Sequence, residues 1–200
     1  MLDKYDSYEA LVAGGEIEGT DFDVTVRERP ESAALIVAPH GGSIEIGTSE
    51  IAALIAGADY SLFTFNGRKE EWGLHPARGR NRDLHITSHN FDHPSCITLA
   101  SRHSVVLAVH GCKGESPQIY VGGLDEELIT LLTQRLVAAG LPATSSGHRY
   151  PGRNPLNICN RGARGKGVQL EFTLHLREPS ARTMIPPVVR GALSDYLARL

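Results

Sequence analysis

Three stretches of the chain end an apolar run on a group that can do chemistry. In VAPHGGSIEIG, His40 closes the run AALIVAP, Gly41 and Gly42 follow, and Glu45 returns a carboxylate. In SVVLAVHG, His110 follows VVLAV and precedes Gly111; in GVQLEF, Glu171 lies near the end of a third run. Glycine permits backbone angles and close approaches that a side chain forbids, so His40 and Glu45 can swing back toward one point. Two histidines and one glutamate form a ligand set of hydrolytic zinc sites, which keep one position open for water. A metal held in this way lowers the pKa of its water from about 15.7 to about 7. The reaction also needs a group that takes the water's proton and hands it to the leaving group. Glu171 is the candidate.

Spacing alone leaves alternatives. Of nine histidines, His75, His85, His89, His93 and His103 crowd the middle of the chain. On that criterion, His85 or His103 serves as well as His110. The spacing from His40 to Glu45 lacks the specificity of two histidines one helical turn apart. Glu171 equally suits an ion pair with Arg177 or a charge on an edge strand. Cys112, two residues after His110, is read as a buried thiol that packs like a small apolar side chain.

The elements that would position these groups alternate in type. YDSYEALVAG predicts a short helix ending at Gly14-Gly15, and the alternation in DFDVTVRER predicts a half-buried strand. The continuous run AALIVAP suits a central strand covered on both faces. TSEIAALIAGA reads as a helix capped by Thr48 or Ser49. YSLFTFNG, DLHITS, SVVLAVHG, QIYVGG and GVQLEFTL read as strands. LDEELITLLTQRLVAAGLP is a helix in which Leu124, Leu128, Leu131, Leu132 and Leu136 recur at helical spacing, stopped by Gly140 and Pro142. PPVVRGALSDYLARL is a terminal helix opened by proline. This alternation predicts an α/β sandwich around a mostly parallel or mixed sheet, with ligands collecting at the carboxyl ends of the strands.

The totals narrow the classes. Two hundred residues suit one domain with one sizeable core, here residues 1–200 with 1–20 as a peripheral helical segment. A net charge of −3 does not mark the whole surface for nucleic acid or membrane. No apolar stretch approaches the roughly 20 residues that span a bilayer. The acidic, polar start lacks the form of a secretory signal, so the expected location is the cytoplasm. Cys96, Cys112 and Cys159 are too few and too scattered for a disulfide framework, and are expected as reduced thiols.

APHGGSIEIGTSEIA, DLHITS, VHG, NICNRG and GKGVQLEF, in this order, make the chain resemble the poly-γ-glutamate hydrolase family. The resemblance runs from about residue 21 to 171. It implies a zinc carboxypeptidase-like fold, a three-layer sandwich whose mixed sheet carries helices on both faces and one zinc at the strand ends. Carried over by motif, His40, Glu45 and His110 become the zinc ligands and Glu171 the catalytic carboxylate. The resemblance thereby selects His110 over its neighbours. If the source is a phage, the enzyme is expected to be released on lysis.

The charge distribution adds a substrate expectation. No acid occurs from Leu128 to Leu170, while Arg135, Arg149, Arg153, Arg161, Arg164 and Lys166 all fall inside; Arg78, Arg80 and Arg82 precede DLHITS. Guanidinium groups match carboxylates bidentately, so the expected partner is an acidic peptide or polymer. Nucleic acid is disfavoured because few aromatics accompany the basic loops. The pair Asn160-Arg161 is reminiscent of the pair by which carboxypeptidases hold a substrate carboxylate. Arg161 is also a candidate for stabilising the oxyanion. His85, His148 and Arg149 are expected substrate contacts. The resulting expectation is a one-zinc amidohydrolase for γ-glutamyl bonds. Its rivals are another zinc deacylase of the same fold, acting on N-acyl amino acids or aminoacyl-transfer RNA, and a binding protein without catalysis.

Overall fold

A computed structural model describes residues 3–69 and 79–200, so His75 and Arg78 lie outside the described residues. The segment before the sheet forms helix α1 (Tyr8–Ala13), capped by the Ser7 side chain on Ala10 N–H. The sheet is built from β1 (Phe22–Arg27), β2 (Ala34–Gly42), β3 (Ser61–Gly67), β4 (Val105–Cys112), β5 (Ile119–Gly123), β6 (Ala143–Thr144) and β7 (Val168–Thr173). Their order is β1-β3-β2-β4-β7-β5-β6. Strands β3, β2, β4 and β7 run parallel; β1 and β5 pair antiparallel to β3 and β7, so the sheet is mixed.

Helices cover both faces. Helices α2 (Thr48–Ala56), α4 (Glu126–Ala138) and α7 (Ile185–Leu197) pack on one side, where Ile36, Leu107, Val109 and Leu170 of the sheet meet Ile51, Leu132 and Leu193. Helices α1 and α3 (Pro94–Ser101) cover the other, against Leu35, Val37, Phe63, Phe65 and Val106. Two short helices, α5 (Leu174–Arg177) and α6 (Pro179–Arg182), link β7 to α7. This is the expected three-layer α/β sandwich.

Three local readings change. DLHITS is not a strand: Asn81–Leu84 form a 3₁₀ turn and the following residues pair with no strand. The reason is competition from side chains, because Asp83 bonds the Arg80 N–H and Asp3 bonds the N–H and hydroxyl of Thr87. Helix α3, in the histidine-rich middle, has no counterpart in the sequence reading. Helix α2 is entered from Gly47 at φ 92° rather than capped by Thr48 or Ser49, because the Thr48 hydroxyl donates to the carbonyls of Glu45 and His40.

Candidate metal centre

The centre forms where neighbouring parallel strands end and the connections leave in opposite directions, β2 toward β3 on one side and β4 on the other. Along β2, Ala34, Ile36 and Ala38 face the α2 and α7 side. A register shift between Ala38 and Gly41 then re-aims the strand, and His40 lies against Phe91 of the opposite face. His110 and Glu171 leave the sheet on that same face and stand side by side as register partners on β4 and β7. The two glycines after His40 are required by space. A Cβ on Gly41 would sit 1.9 Å from Ser49 Oγ, and one on Gly42, which has φ +60°, would sit 2.5 Å from the Gly67 carbonyl. The chain then turns back, with Glu45 N–H donating to His40 O at 2.9 Å. Glu45 Oε2 accepts from Gly111 N–H at 2.7 Å, which pins the carboxylate across to β4.

His40 Nδ1 lies 3.3 Å from Glu45 Oε1 and 3.2 Å from His110 Nδ1; His110 Nδ1 lies 3.9 Å from Glu45 Oε2. The outward nitrogens are engaged elsewhere. His40 Nε2 donates to Ile86 O at 2.7 Å, and His110 Nε2 meets Ser88 Oγ at 3.3 Å. Both imidazoles therefore turn Nδ1 inward, held from behind as metal-binding histidines are. Zinc–nitrogen bonds of about 2.0–2.1 Å with tetrahedral angles place two donors roughly 3.3–3.4 Å apart. The two spacings from His40 match that edge length and the third is about half an ångström longer, so this donor set could hold a single ion.

The electrostatics ask for the same thing. Burial opposes charge on Glu45, yet the cationic His40 beside it draws its pKa down to about 2. Burial also opposes charge on His40, and Glu45 raises its pKa nonetheless. Burial and then the His40 charge push His110 down to about 3. The carboxylate of Glu45 thus favours positive charge beside it.

Glu171 is pushed well above the ordinary carboxylate range, first by burial and then by the Glu45 charge, with Arg177 opposing. Gln169 donates to its Oε1 at 3.3 Å. Arg177, considered from sequence only as an ion-pair partner, is buried here at 8% exposure. Its Nε donates to Phe172 O at 3.1 Å and another nitrogen to Ile46 O. A Cβ on Gly111 would meet the Arg177 guanidinium carbon at 2.7 Å, and one on Gly47 would meet its backbone at 2.5 Å. Two glycines beside the predicted ligands therefore make room for an arginine that sequence reasoning missed.

The remaining predicted residues fall in four places. His85 stacks on His40 at 4.0 Å between centroids, with Nδ1 2.7 Å from Asp3 Oδ1 and Nε2 3.9 Å from Glu45 Oε1. It neighbours the cluster without completing it. His103 is far from it in role, with its nitrogens on Leu99 O and Ser61 Oγ at 2.7 and 2.8 Å. His148 and Arg149 line a groove with Tyr120 and Tyr150 that shares Lys113 with the cleft over the cluster. Asn160 and Arg161 are not brought to the cluster. The Asn160 amide is spent on backbone groups of Leu124, Gly152, Asn154 and Gly167. The chain after Arg161 joins His103, ahead of β4, and the guanidinium acting on Glu171 is that of Arg177. Most of the basic run is likewise neutralised: Arg135 pairs with Asp195, Arg153 with Glu126, and Arg164 and Lys166 with Asp125. The three cysteines are buried free thiols.

Comparison with known proteins bears on the family and the fold. The UPF0714 protein YmaC of Bacillus subtilis strain 168 is 36% identical over 176 residues, which cover 86% of this chain and 71% of YmaC. A solved bacteriophage poly-γ-glutamate hydrolase superposes with a TM-score of 0.89 over the whole of both chains at 29% identity. A solved apo, zinc-free YndL superposes with a TM-score of 0.86 at 30% identity, covering 98% of this chain and 99% of that one. The sequence profile of poly-gamma-glutamate hydrolases matches residues 5–182. With its fold, its cluster of two histidines and a glutamate, and a match over most of its length, the chain belongs to the poly-γ-glutamate hydrolase family.

Proposed function

We propose that this hydrolase, acting as one catalytic domain, cleaves γ-glutamyl amide bonds of an acidic polymer with one zinc held by His40, Glu45 and His110. The observation that carries this reading is the convergence of three inward donors at 3.2–3.9 Å, with Glu171 on the adjacent strand. When bound at such a site, zinc supplies a Lewis acid and water acidified toward a pKa of about 7. Glu171 takes the proton of the attacking water and returns it to the leaving nitrogen. A buried carboxyl on the strand beside His110 is placed for both transfers. His85, fixed by Asp3, presents Nε2 to the cleft for hydrogen bonding to substrate. The groove of His148 and Arg149 continues the cleft past Lys113 and receives a neighbouring carboxylate of the polymer. Asn160 and Arg161 take no part in this scheme.

The test joins metal analysis to turnover. Purified protein should carry about one zinc per chain, lose cleavage of γ-linked polyglutamate on chelation, and regain it when zinc is returned. Cleavage of N-acyl amino acids or of mischarged transfer RNA instead, or full activity in zinc-free protein, would overturn the reading.

A further inference from the structure

Arg177 is built unlike an ordinary buried arginine. Its guanidinium is anchored by two neutral carbonyl oxygens, those of Phe172 and Ile46, rather than by a carboxylate. Among the described residues, no Asp or Glu oxygen lies within 4.0 Å of its nitrogens. Two of its five N–H groups are thus used, and its charge is uncompensated by contact. The guanidinium lies directly over Gly111, whose N–H binds the Glu45 carboxylate, so it sits close to where bond breaking would occur. It lines a cleft of about 350 Å³ together with Glu45, His85, Gly111 and Lys113. Ile46 and Leu174, which are 56% and 51% exposed, add an apolar rim to the same cleft.

We infer that Arg177 binds the free α-carboxylate of the residue on the leaving side of the scissile bond, and so reads the γ-linkage itself. This rests on the proposed γ-glutamyl hydrolysis. In a γ-linked chain the scissile nitrogen is bonded to an α-carbon that still bears a carboxylate, two bonds and about 2.5 Å from that nitrogen. In an α-linked chain that position holds the next amide, except at the carboxyl terminus. Counted from the reacting carbon, the leaving-side carboxylate is three bonds away and that of the acyl-side residue four. The leaving-side carboxylate is therefore the one an arginine placed beside Glu45 and Glu171 meets first. A planar guanidinium with a free edge suits bidentate capture. The rim of Ile46 and Leu174 faces the two methylenes that each γ-linked residue contributes to its backbone.

The test pairs two substrates with two variants. A γ-linked glutamate oligomer is compared with the same oligomer carrying α-carboxamides. Wild type should prefer the carboxylate form by about 10- to 100-fold in kcat/KM. In R177Q that preference should collapse, through loss on the carboxylate form alone. R177K, which keeps charge without the fork, should fall between and serves if R177Q does not fold. An equal loss on both substrates would overturn the assignment, since a clamp on the fold or an oxyanion ligand affects both alike. So would wild type that does not discriminate. Calorimetric binding of the two oligomers, with E171Q as the non-turning-over background and R177Q/E171Q beside it, asks the same question without cleavage. Selective loss of carboxylate binding supports Arg177 even if no hydrolysis is found, whereas unchanged selectivity overturns it. Absence of cleavage itself counts against the γ-glutamyl hydrolase reading alone.

Discussion

His103 and His110 bracket one strand, and both are almost wholly buried, at 3% and 2% exposure. His103 precedes β4 and is complete in itself, with Leu99 O on one nitrogen and Ser61 Oγ on the other. Such a histidine ties α3 to β3 and needs nothing further. His110, near the other end of the strand, has one ordinary partner in Ser88 and turns Nδ1 toward another imidazole Nδ1 and a carboxylate. About 16 Å of strand separates Val105 from His110, enough to put the two histidines in different chemistries. Burial therefore does not mark a metal ligand. Convergence of two imidazoles and a carboxylate on one point marks a candidate.

The comparison breaks most visibly under substitution of the proposed ligands. H110A and H40A should each leave zinc well below one per chain and reduce kcat/KM by at least about 10³-fold, since one lost donor opens the site and leaves a buried carboxylate short of its positive partner. H103A should keep both zinc and activity. Zinc bound normally by H110A, or lost from H103A, would reverse the assignment of the two histidines. E171Q comes next. It should retain zinc and lower kcat by about 10²- to 10⁴-fold, because it keeps the shape and removes the proton carrier. Activity surviving in zinc-loaded E171Q would move the proton transfer to another group, with His85 the nearest candidate.

In H103A the effect should appear in stability instead. Two buried partners, Leu99 O and Ser61 Oγ, each lose one hydrogen bond while keeping the N–H of Arg102 and of Arg29, at a combined cost of about 1–3 kcal/mol. For a chain of this length that lowers Tm by roughly 2–12 °C. A thermal melt of H103A beside wild type checks it, and an unchanged Tm would mean that the buried pair contributes nothing to the fold.

The layers were legible because they depend on local pattern. AALIVAP and VVLAV are apolar on both sides because helices cover both faces of β2 and β4, and the run from Glu126 to Ala138 keeps helical spacing. The candidate ligand triad was half legible. His40 and Glu45 share a turn, but His110 was chosen over His85 and His103 by resemblance, since only adjacency of β2 and β4 separates them. What failed depended on distant partners. DLHITS looked extended until Asp3, far away in the chain, claimed Thr87. Arg161 was the conspicuous arginine because it follows Asn160 in a pair reminiscent of the one in carboxypeptidases. Arg177 is visible only after β7 and α5 bring it over Gly111, whose missing side chain is the hollow it fills. A glycine after a candidate ligand was the available signal, and it pointed to a neighbour that the chain order does not disclose.

The two ends of β4 also differ in what they cost the fold, and this yields the smallest expected effect. In metal-free protein, Glu171 is held above its ordinary value by burial and by Glu45, whereas the unfolded chain titrates near 4.5. Between those two pKa values the folded state binds more protons than the unfolded one, so this group lowers stability as pH rises through the window. Below the unfolded value the penalty is absent; above the folded value it is fully present. Metal-free E171Q lacks the titrating group. It should therefore be the more stable protein at neutral pH, with the gap narrowing on acidification and closing near pH 4. Denaturant melts of both metal-free proteins across that range check the sign. A gap that is constant with pH would mean that Glu171 carries no raised pKa.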